Sequence, residues 1–307
     1  MTLQRLGLVS TRLHYFQMVA RFGSIRRAAQ ALNTAPSAIS RTIQHLEDEL
    51  GAPLFERAKQ RLKLTSAGEI LVYHAGTSVS ELERAKAFID DLKGLRRGAV
   101  RIAAVESIAR GLLPDVAAKF WKLHPDITIA ISITDSRAAF DTVARAECDV
   151  AVGFDGPVPK AVRRQASATV NLGAVVNPAH PMAGKRTARL ADFASDRVIL
   201  SDGSLTLGSS LEAALAQGST QLRPASTTNS IQLMAEFAAR GLGVSFQTRV
   251  GVQVEVERKK LVFVPLTDPL LRARKLLVVT RAKAHLPAAP AAFSAMLANA
   301  ILALDGQ

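Results

Sequence analysis

Residues 24–57 read SIRRAAQALNTAPSAISRTIQHLEDELGAPLFER, and two short amphipathic patterns meet there across a tight Asn33-Thr34-Ala35 break. In the second pattern, from Pro36 to Leu50, the apolar residues Ile39, Ile43, Leu46 and Leu50 recur at spacings of four, three and four, which is one helical face. Ser37, Arg41 and Gln44 fall on the opposite face, with Ser40 beside them. Pro36 suits the first helical position, where its missing N–H would have been unpaired anyway. Gly51, just past the last periodic residue, terminates the pattern. The preceding segment, Ile25 to Leu32, is Ala-rich, carries Arg26, Arg27 and Gln30 outward and has Ser24 as its N-cap. Two helices joined by so short a turn make a helix-turn-helix, whose second helix fits the DNA major groove.

Helix pattern alone would suit a helical hairpin in an enzyme equally well, so the outward side chains decide. Small hydroxyls, an Arg and a Gln are the types that hydrogen-bond base edges and phosphates. Directly downstream, residues 54–65 (LFERAKQRLKLT) crowd Arg57, Lys59, Arg61 and Lys63 among the apolar anchors Phe55, Leu62 and Leu64. The alternation Arg61-Leu62-Lys63-Leu64 predicts a half-buried strand with a basic outer face. A basic hairpin beside a helix-turn-helix is a wing.

One ordered set of residues spans this region: Leu13-His14-Tyr15-Phe16, Gly23-Ser24, Ala28-Ala29, Leu32, Ser40-Arg41, Ile43, Leu46-Glu47, Glu49-Leu50-Gly51, Pro53-Leu54-Phe55-Glu56-Arg57 and Leu64-Thr65. It resembles the N-terminal domain of LysR-type transcriptional regulators. In one place the chain departs from that family. Where the family usually reads Ser-Gln-Pro into the recognition helix, this sequence has Ala35-Pro36-Ser37, without the Ser cap. By general cap values the loss costs roughly 0.5–2 kcal/mol at that terminus.

The 307 residues are enough for two or three domains. At 48% hydrophobic and 21% charged the composition is that of a soluble globular protein, and the net charge of +13 favours a polyanionic partner. Residues 1–97 hold 15 Lys and Arg against 9 Asp and Glu, and the other 210 residues hold 24 against 17, so basic density is higher at the N-terminus without being confined to it. One cysteine, Cys148, excludes an internal disulfide framework, fits a reducing cytoplasm and is expected to be a buried structural thiol. The N-terminus lacks the apolar run of a signal peptide. The uncharged run Leu286–Leu304 has the length of a membrane span, but its Pro287, Pro290, Ser294 and Asn299, and the stripe Phe293, Leu297, Ile301 and Leu304, predict a helix docked on the core instead. No membrane association is expected. There is no Walker loop, His-Glu-x-x-His, Gly-x-Ser-x-Gly or Cys-x-x-Cys, and the six His are scattered without metal-ligand spacing. Neither enzymatic activity nor a cofactor or metal is expected. A solute-binding protein with an N-terminal extension is the competing class, disfavoured by the basic wing.

In chain order, a first helix from about Arg12 to Phe22 is expected to bury Leu13, Phe16 and Ala20. After the wing, Ser66-Ala67-Gly68-Glu69 has the form of a capping box. The helix behind it, to about Leu92, repeats Leu71, Ala75, Ser78, Leu82, Ala85, Ile89 and Leu92 at heptad spacing, a seam for pairing two copies. Pairing would put two winged helices on one two-fold related operator. Leu95-Arg96-Arg97-Gly98 reads as the hinge into a second unit.

From there strands and helices alternate: strands at 99–105, 127–134, 149–154, 171–177, 198–200, 243–247, 261–266 and 275–280, and helices at 111–123, 138–147, 208–217 and 230–240. The alternation predicts an α/β fold with parallel strands. Three polar groups, Val105-Glu106-Ser107, Thr134-Asp135-Ser136 and Thr227-Thr228-Asn229-Ser230, sit between strand end and helix start; each alone reads first as a helix N-cap, but their shared position is where α/β sheets bind ligands.

The resemblance implies the rest. It implies an N-terminal winged helix-turn-helix (1–65), a linker and dimerisation helix (66–94) and a two-subdomain α/β effector domain (95–307) similar to periplasmic binding proteins. Its subdomain I would hold 95–168 plus 267–307 and subdomain II 169–266. DNA contacts are expected from Arg26, Arg27, Ser37, Ser40, Arg41, Gln44, Arg57, Lys59 and Arg61. Ser107, Ser136, Thr206, Thr228 and Gln247 match the inducer positions. The expected partners are double-stranded DNA, a small-molecule effector and further copies in a homodimer or homotetramer, with RNA polymerase a further candidate.

Overall fold

A computed structural model of the chain describes residues 8–58, 61–92, 98–203, 206–217, 221–271, 273–282 and 285–305. The chain divides into two compact units, Met1–Lys93 with Arg145–Glu147, and Gly94–Ala144 with Cys148–Gln307.

The first unit opens with three helices. Helix α1 (Thr11–Phe22) starts on Ser10, whose hydroxyl accepts the Leu13 N–H, and stops at Gly23 in the left-handed region. Helix α2 (Ile25–Leu32) starts on Ser24, as its sequence predicts, and ends at Asn33, a residue type that tolerates the left-handed φ of 50° found there. Helix α3 (Pro36–Leu50) follows after the three residues Asn33, Thr34 and Ala35 and ends on Gly51. Phe16, Val19, Ala28, Ala29, Ile39, Ile43 and Leu54 form the core between them. Val19 takes the buried place expected of Ala20, which is half-buried. The apolar face of α3 holds for Ile39, Ile43 and Leu46 but not for Leu50, which is 52% exposed where the chain turns away. Strands β1 (Phe55–Ala58) and β2 (Arg61–Leu64) pair antiparallel as the wing. Phe55, Leu62 and Leu64 lean on the core while Lys63 stays exposed. Glu47, on α3, accepts the Leu54 and Phe55 N–H groups at 2.7 and 3.1 Å, and so fastens the wing to that helix.

Helix α4 (Ser66–Leu92) starts one residue earlier in its capping than the sequence pattern suggests. Thr65, not Ser66, is the cap: its hydroxyl accepts the Gly68 N–H at 3.1 Å and donates to the Pro53 carbonyl at 2.6 Å. The second bond settles the choice, because it ties the cap to the start of the wing.

The second unit runs β3 (Gly98–Ala104), α5 (Glu106–Gly111), α6 (Leu113–Leu123), β4 (Ile127–Ile133), α7 (Ser136–Ala144), β5 (Val150–Phe154), β6 (Val162–Val170), β7 (Leu172–Val176), β8 (Val198–Ser201), α8 (Thr206–Gln217), β9 (Pro224–Thr228), α9 (Ile231–Ala239), β10 (Val244–Thr248), α10 (Gln253–Glu257), β11 (Val262–Pro265), β12 (Arg274–Arg281) and α11 (Ala288–Leu302). It builds two five-stranded sheets, β4-β3-β5-β12-β6 and β11-β7-β10-β8-β9. The chain crosses between them twice, from β6 to β7 and from β11 to β12.

Both sheets are mixed, which corrects the expectation of parallel strands. β3, β4 and β5 are mutually parallel in order, as are β8, β9 and β10, but β12 runs antiparallel to β5 and β6, and β7 antiparallel to β10 and β11. The antiparallel strands flank the two crossings, where the chain enters a sheet from the opposite end. Strands β6 and β9 are absent from the sequence reading. Both are edge strands, and VRRQASATV and PASTT carry the polar residues that an edge exposes, so neither offers an apolar run. The predicted helix 111–123 is α6, which starts at Leu113; the short α5 before it, separated by Leu112, is absent from the sequence reading. The first sheet buries Val100, Ile102, Val150, Val152 and Val278 against Phe120 and against Phe293, Leu297 and Ile301 of α11. The C-terminal stripe is thus core, and among the described residues no helix is long and apolar enough to cross a membrane. Cys148 is half-buried at the edge of the cluster around Phe140 and Val143.

Candidate nucleic-acid interface and ligand cleft

On the first unit, Arg26 and Arg27 of α2 and Ser37, Ser40, Arg41 and Gln44 of α3 are all exposed. Arg26, Gln30, Asn33, Thr34 and Pro36 line a shallow hollow at the helix-turn-helix corner. The Arg27 guanidinium lies 5.9 Å from the centre of the Phe22 ring. No side chain caps α3, because Ala35 has none to offer. An exposed helix start with its positive dipole end uncovered is ready for a phosphate. Lys59 lies outside the described residues, as do the side chains of Arg57, Arg61, Leu92 and Thr206.

The heptad positions of α4 do not share one environment. Leu71 packs on the winged-helix core and Ala75 is buried, whereas Ser78, Ala85 and Ile89 are exposed and Leu82 is half-buried. Among the described residues of this helix, the large apolar side chains that are exposed are the heptad position Ile89 and three outside the heptad set, Ile70, Tyr73 and Phe88.

In the second unit the polar strand ends separate into two places. Ser136 is buried beside Gly153, and its hydroxyl accepts the Phe154 N–H at 2.9 Å, so it pins α7 to the end of β5. Asp135, not Ser136, caps that helix by accepting the Ala138 N–H.

Ser107 and Gln247 lie together elsewhere. Both are buried, and both border, within 3.5 Å, the point where a side chain on Gly251 would begin; a methyl of Ile231 does the same. Thr228 stands just before α9, where its hydroxyl accepts the Ser230 N–H at 3.2 Å. Among the described residues, Ser107 Oγ and Gln247 Oε1 are buried without a hydrogen-bond partner; Thr248 Oγ1 is another such atom, one residue along and so on the other face of its strand. The two sheets meet here closely. Arg110 reaches from α5 to the Gly251 carbonyl at 3.3 Å and to Glu255 at 2.5 Å, and Arg274 joins Asp155 at 2.8 Å and Ser210 at 2.9 Å. Glu106 accepts two backbone N–H groups at the start of α9. That contact links residues 125 and 126 positions apart, and no local sequence signal announces it. No group of three or more His, Cys, Asp or Glu able to hold a metal occurs among the described residues.

Comparison with known proteins gives two family matches. Residues 10–69 match the family of bacterial regulatory helix-turn-helix proteins of the lysR type, and residues 93–301 match the LysR substrate binding domain. A probable RuBisCO transcriptional regulator of Synechocystis sp. is 27% identical over 289 residues, which cover 92% of this chain and 83% of that protein. The RuBisCO operon transcriptional regulator of Allochromatium vinosum is 27% identical over 282 residues, 91% of this chain and 92% of that one. Among solved structures, a full-length OxyR variant from Pseudomonas aeruginosa aligns with a TM-score of 0.66 at 23% identity, covering 95% and 93% of the two chains. CbnR in complex with its target DNA aligns with a TM-score of 0.67 at 18% identity, covering 94% and 98%. These likenesses support the fold.

Proposed function

The chain belongs to the LysR family of bacterial transcriptional regulators, and from that premise we propose how its residues divide the work. As a LysR-type regulator it binds DNA through its helix-turn-helix and a small effector through its C-terminal domain. We assign the winged helix to 1–65, the linker to 66–94 and the effector domain to 95–307, with subdomain I at 95–168 plus 267–307 and subdomain II at 169–266. Recognition falls to α3, where Arg41 and Ser37 lead, Ser40 and Gln44 support, and Arg26, Arg27 and the basic wing hold phosphates. The uncapped start of α3 is the observation that carries this assignment: it leaves to the nucleic acid a helix terminus that a Ser would have closed.

Two copies pair through the exposed apolar surface of α4, as a homodimer or as half of a homotetramer. The effector lies between the two sheets against Ser107, Gln247 and Thr228, while Ser136 serves as scaffold. The protein acts on the chromosome in the cytoplasm, meets RNA polymerase at the promoter and catalyses no reaction. The relatives named for the RuBisCO operon lend a mode of action, control of an operon from its promoter, and not a target. Selection of genomic fragments with purified protein tests this. A two-fold repeated motif is expected, with affinity falling steeply as salt rises; recovery of sequence-independent binding alone would refute recognition by α3.

A further inference from the structure

Glu106 belongs to the first sheet's helix α5, yet both oxygens of its carboxylate are engaged by the second. Oε2 accepts the Ile231 N–H at 2.8 Å and Oε1 accepts the Gln232 N–H at 3.1 Å. These are the first two amides of the nine-residue α9, the position at which a helix backbone most favours negative charge. Ser230 accepts the third, from Leu233, at 3.2 Å.

Beside this contact lie the two unpartnered atoms, Ser107 Oγ and Gln247 Oε1, on side chains 0% and 1% exposed. Gln247 donates its amide N–H groups to the Ile231 carbonyl at 3.4 Å and to Ser245 at 3.2 Å, which turns the bare acceptor Oε1 the other way. Buried polar groups are nearly always paired in folded proteins. A free acceptor next to a hydroxyl asks for a donor and has no use for a second anion.

Given an effector cleft between the two sheets, as proposed above, we propose that Glu106 sets its specificity. Its carboxylate holds the anion position of α9 permanently, so the cleft turns away carboxylates and phosphates. The ligand it takes is small and uncharged, with a hydroxyl or amide to pair with Gln247 and Ser107. Two like charges at one helix start repel, so an anionic ligand would have to displace Glu106 first.

Hydrogen exchange by mass spectrometry on the full-length protein tests this, with inorganic phosphate and succinate as probes at constant ionic strength. In the wild type neither anion is expected to change exchange in the peptide spanning Ile231–Ala239. In Glu106→Ala that peptide exchanges faster, and phosphate restores its protection with an affinity roughly tenfold or more above wild type. Glu106→Gln keeps the size and one acceptor while losing the charge, and carries the same comparison should the alanine variant fail to fold. Equal protection of wild type and Glu106→Gln overturns the assignment, as does the absence of any phosphate effect in the variants. An anionic metabolite that protects α9 in the wild type and shifts operator affinity overturns the specificity but keeps the effector cleft. Operator affinity indifferent to every ligand that reaches the cleft overturns both.

Discussion

Gly111 ends α5 against the turn Arg249–Val252, and a Cβ placed on it would lie 2.0 Å from the Val250 carbonyl oxygen. Backbone cannot swing aside as a side chain would, so the two sheets' elements would have to part. Gly111→Ala is expected to cost about 1–3 kcal/mol, as overpacking does, and to lower the melting midpoint of the protein while leaving its affinity for DNA per folded molecule unchanged. A midpoint equal to wild type would show that α5 and this turn are not held together. His14 gives the pH counterpart. Burial lowers its pKa below the ordinary imidazole value, so the folded protein takes up the proton less readily than the unfolded chain. Its contribution is intact above the unfolded pKa near 6.5 and is lost as pH falls through that value toward the lower folded pKa. His14→Gln should flatten that part of a urea-midpoint profile taken between about pH 8 and 5; an unchanged slope would assign it to other groups. At this scale the sequence disclosed residues that act locally. Ser24 capping α2 and the missing cap at Ala35 needed only their neighbours. Glu106 was legible as polar and well placed, but its partners are fixed by how two sheets meet, and nothing near it in the chain encodes that.

Among the elements, α4 shows how a periodic pattern divides between two duties. Leu71 and Ala75 fit the heptad spacing but are absorbed by the single chain, since the first turns of α4 close the winged helix, with Gly68 so near Leu54 that a Cβ would meet its carbonyl oxygen at 2.1 Å. The pairing proposed above would fall to the outward residues, and among the described seam positions Ile89, 51% exposed, is the large apolar one that retains both spacing and surface. Ile89→Glu is expected to shift the protein toward monomer in sedimentation and to weaken operator binding through lost pairing, with no fall in its helical signal; an unaltered mass would place the interface elsewhere. Spacing finds a helix's apolar face, but which partner covers each residue is a tertiary fact. The same limit hid β6 and β9. A pattern search finds strands buried on one or both faces, and edge strands with Arg163, Arg164 and Gln165 or with Ser226, Thr227 and Thr228 look like loops. The elements of the winged helix, packed on one small core by residues close in sequence, were nearly all legible.

For the whole molecule the net charge of +13 is a statement about partners, and salt is the means of counting them. Each phosphate neutralised on duplex DNA contributes about −0.9 to the slope of log affinity against log salt. In a paired protein every DNA-contacting residue acts twice. If Arg41 holds a phosphate, Arg41→Ala should therefore reduce the slope by about 1.8 in a dimer and about half that in a monomer, and should weaken all sequences alike. If Arg41 reads a base edge, the slope should stay nearly constant while discrimination against the wrong base falls by about 1–3 kcal/mol per contact. Fluorescence anisotropy on operator and scrambled duplexes across a salt series separates the three outcomes. Running the same series on Ile89→Glu closes the argument, because loss of pairing halves the wild-type slope regardless of what Arg41 touches. Slope and discrimination both unchanged by Arg41→Ala would remove Arg41 from the interface and leave the basic charge as a diffuse attraction.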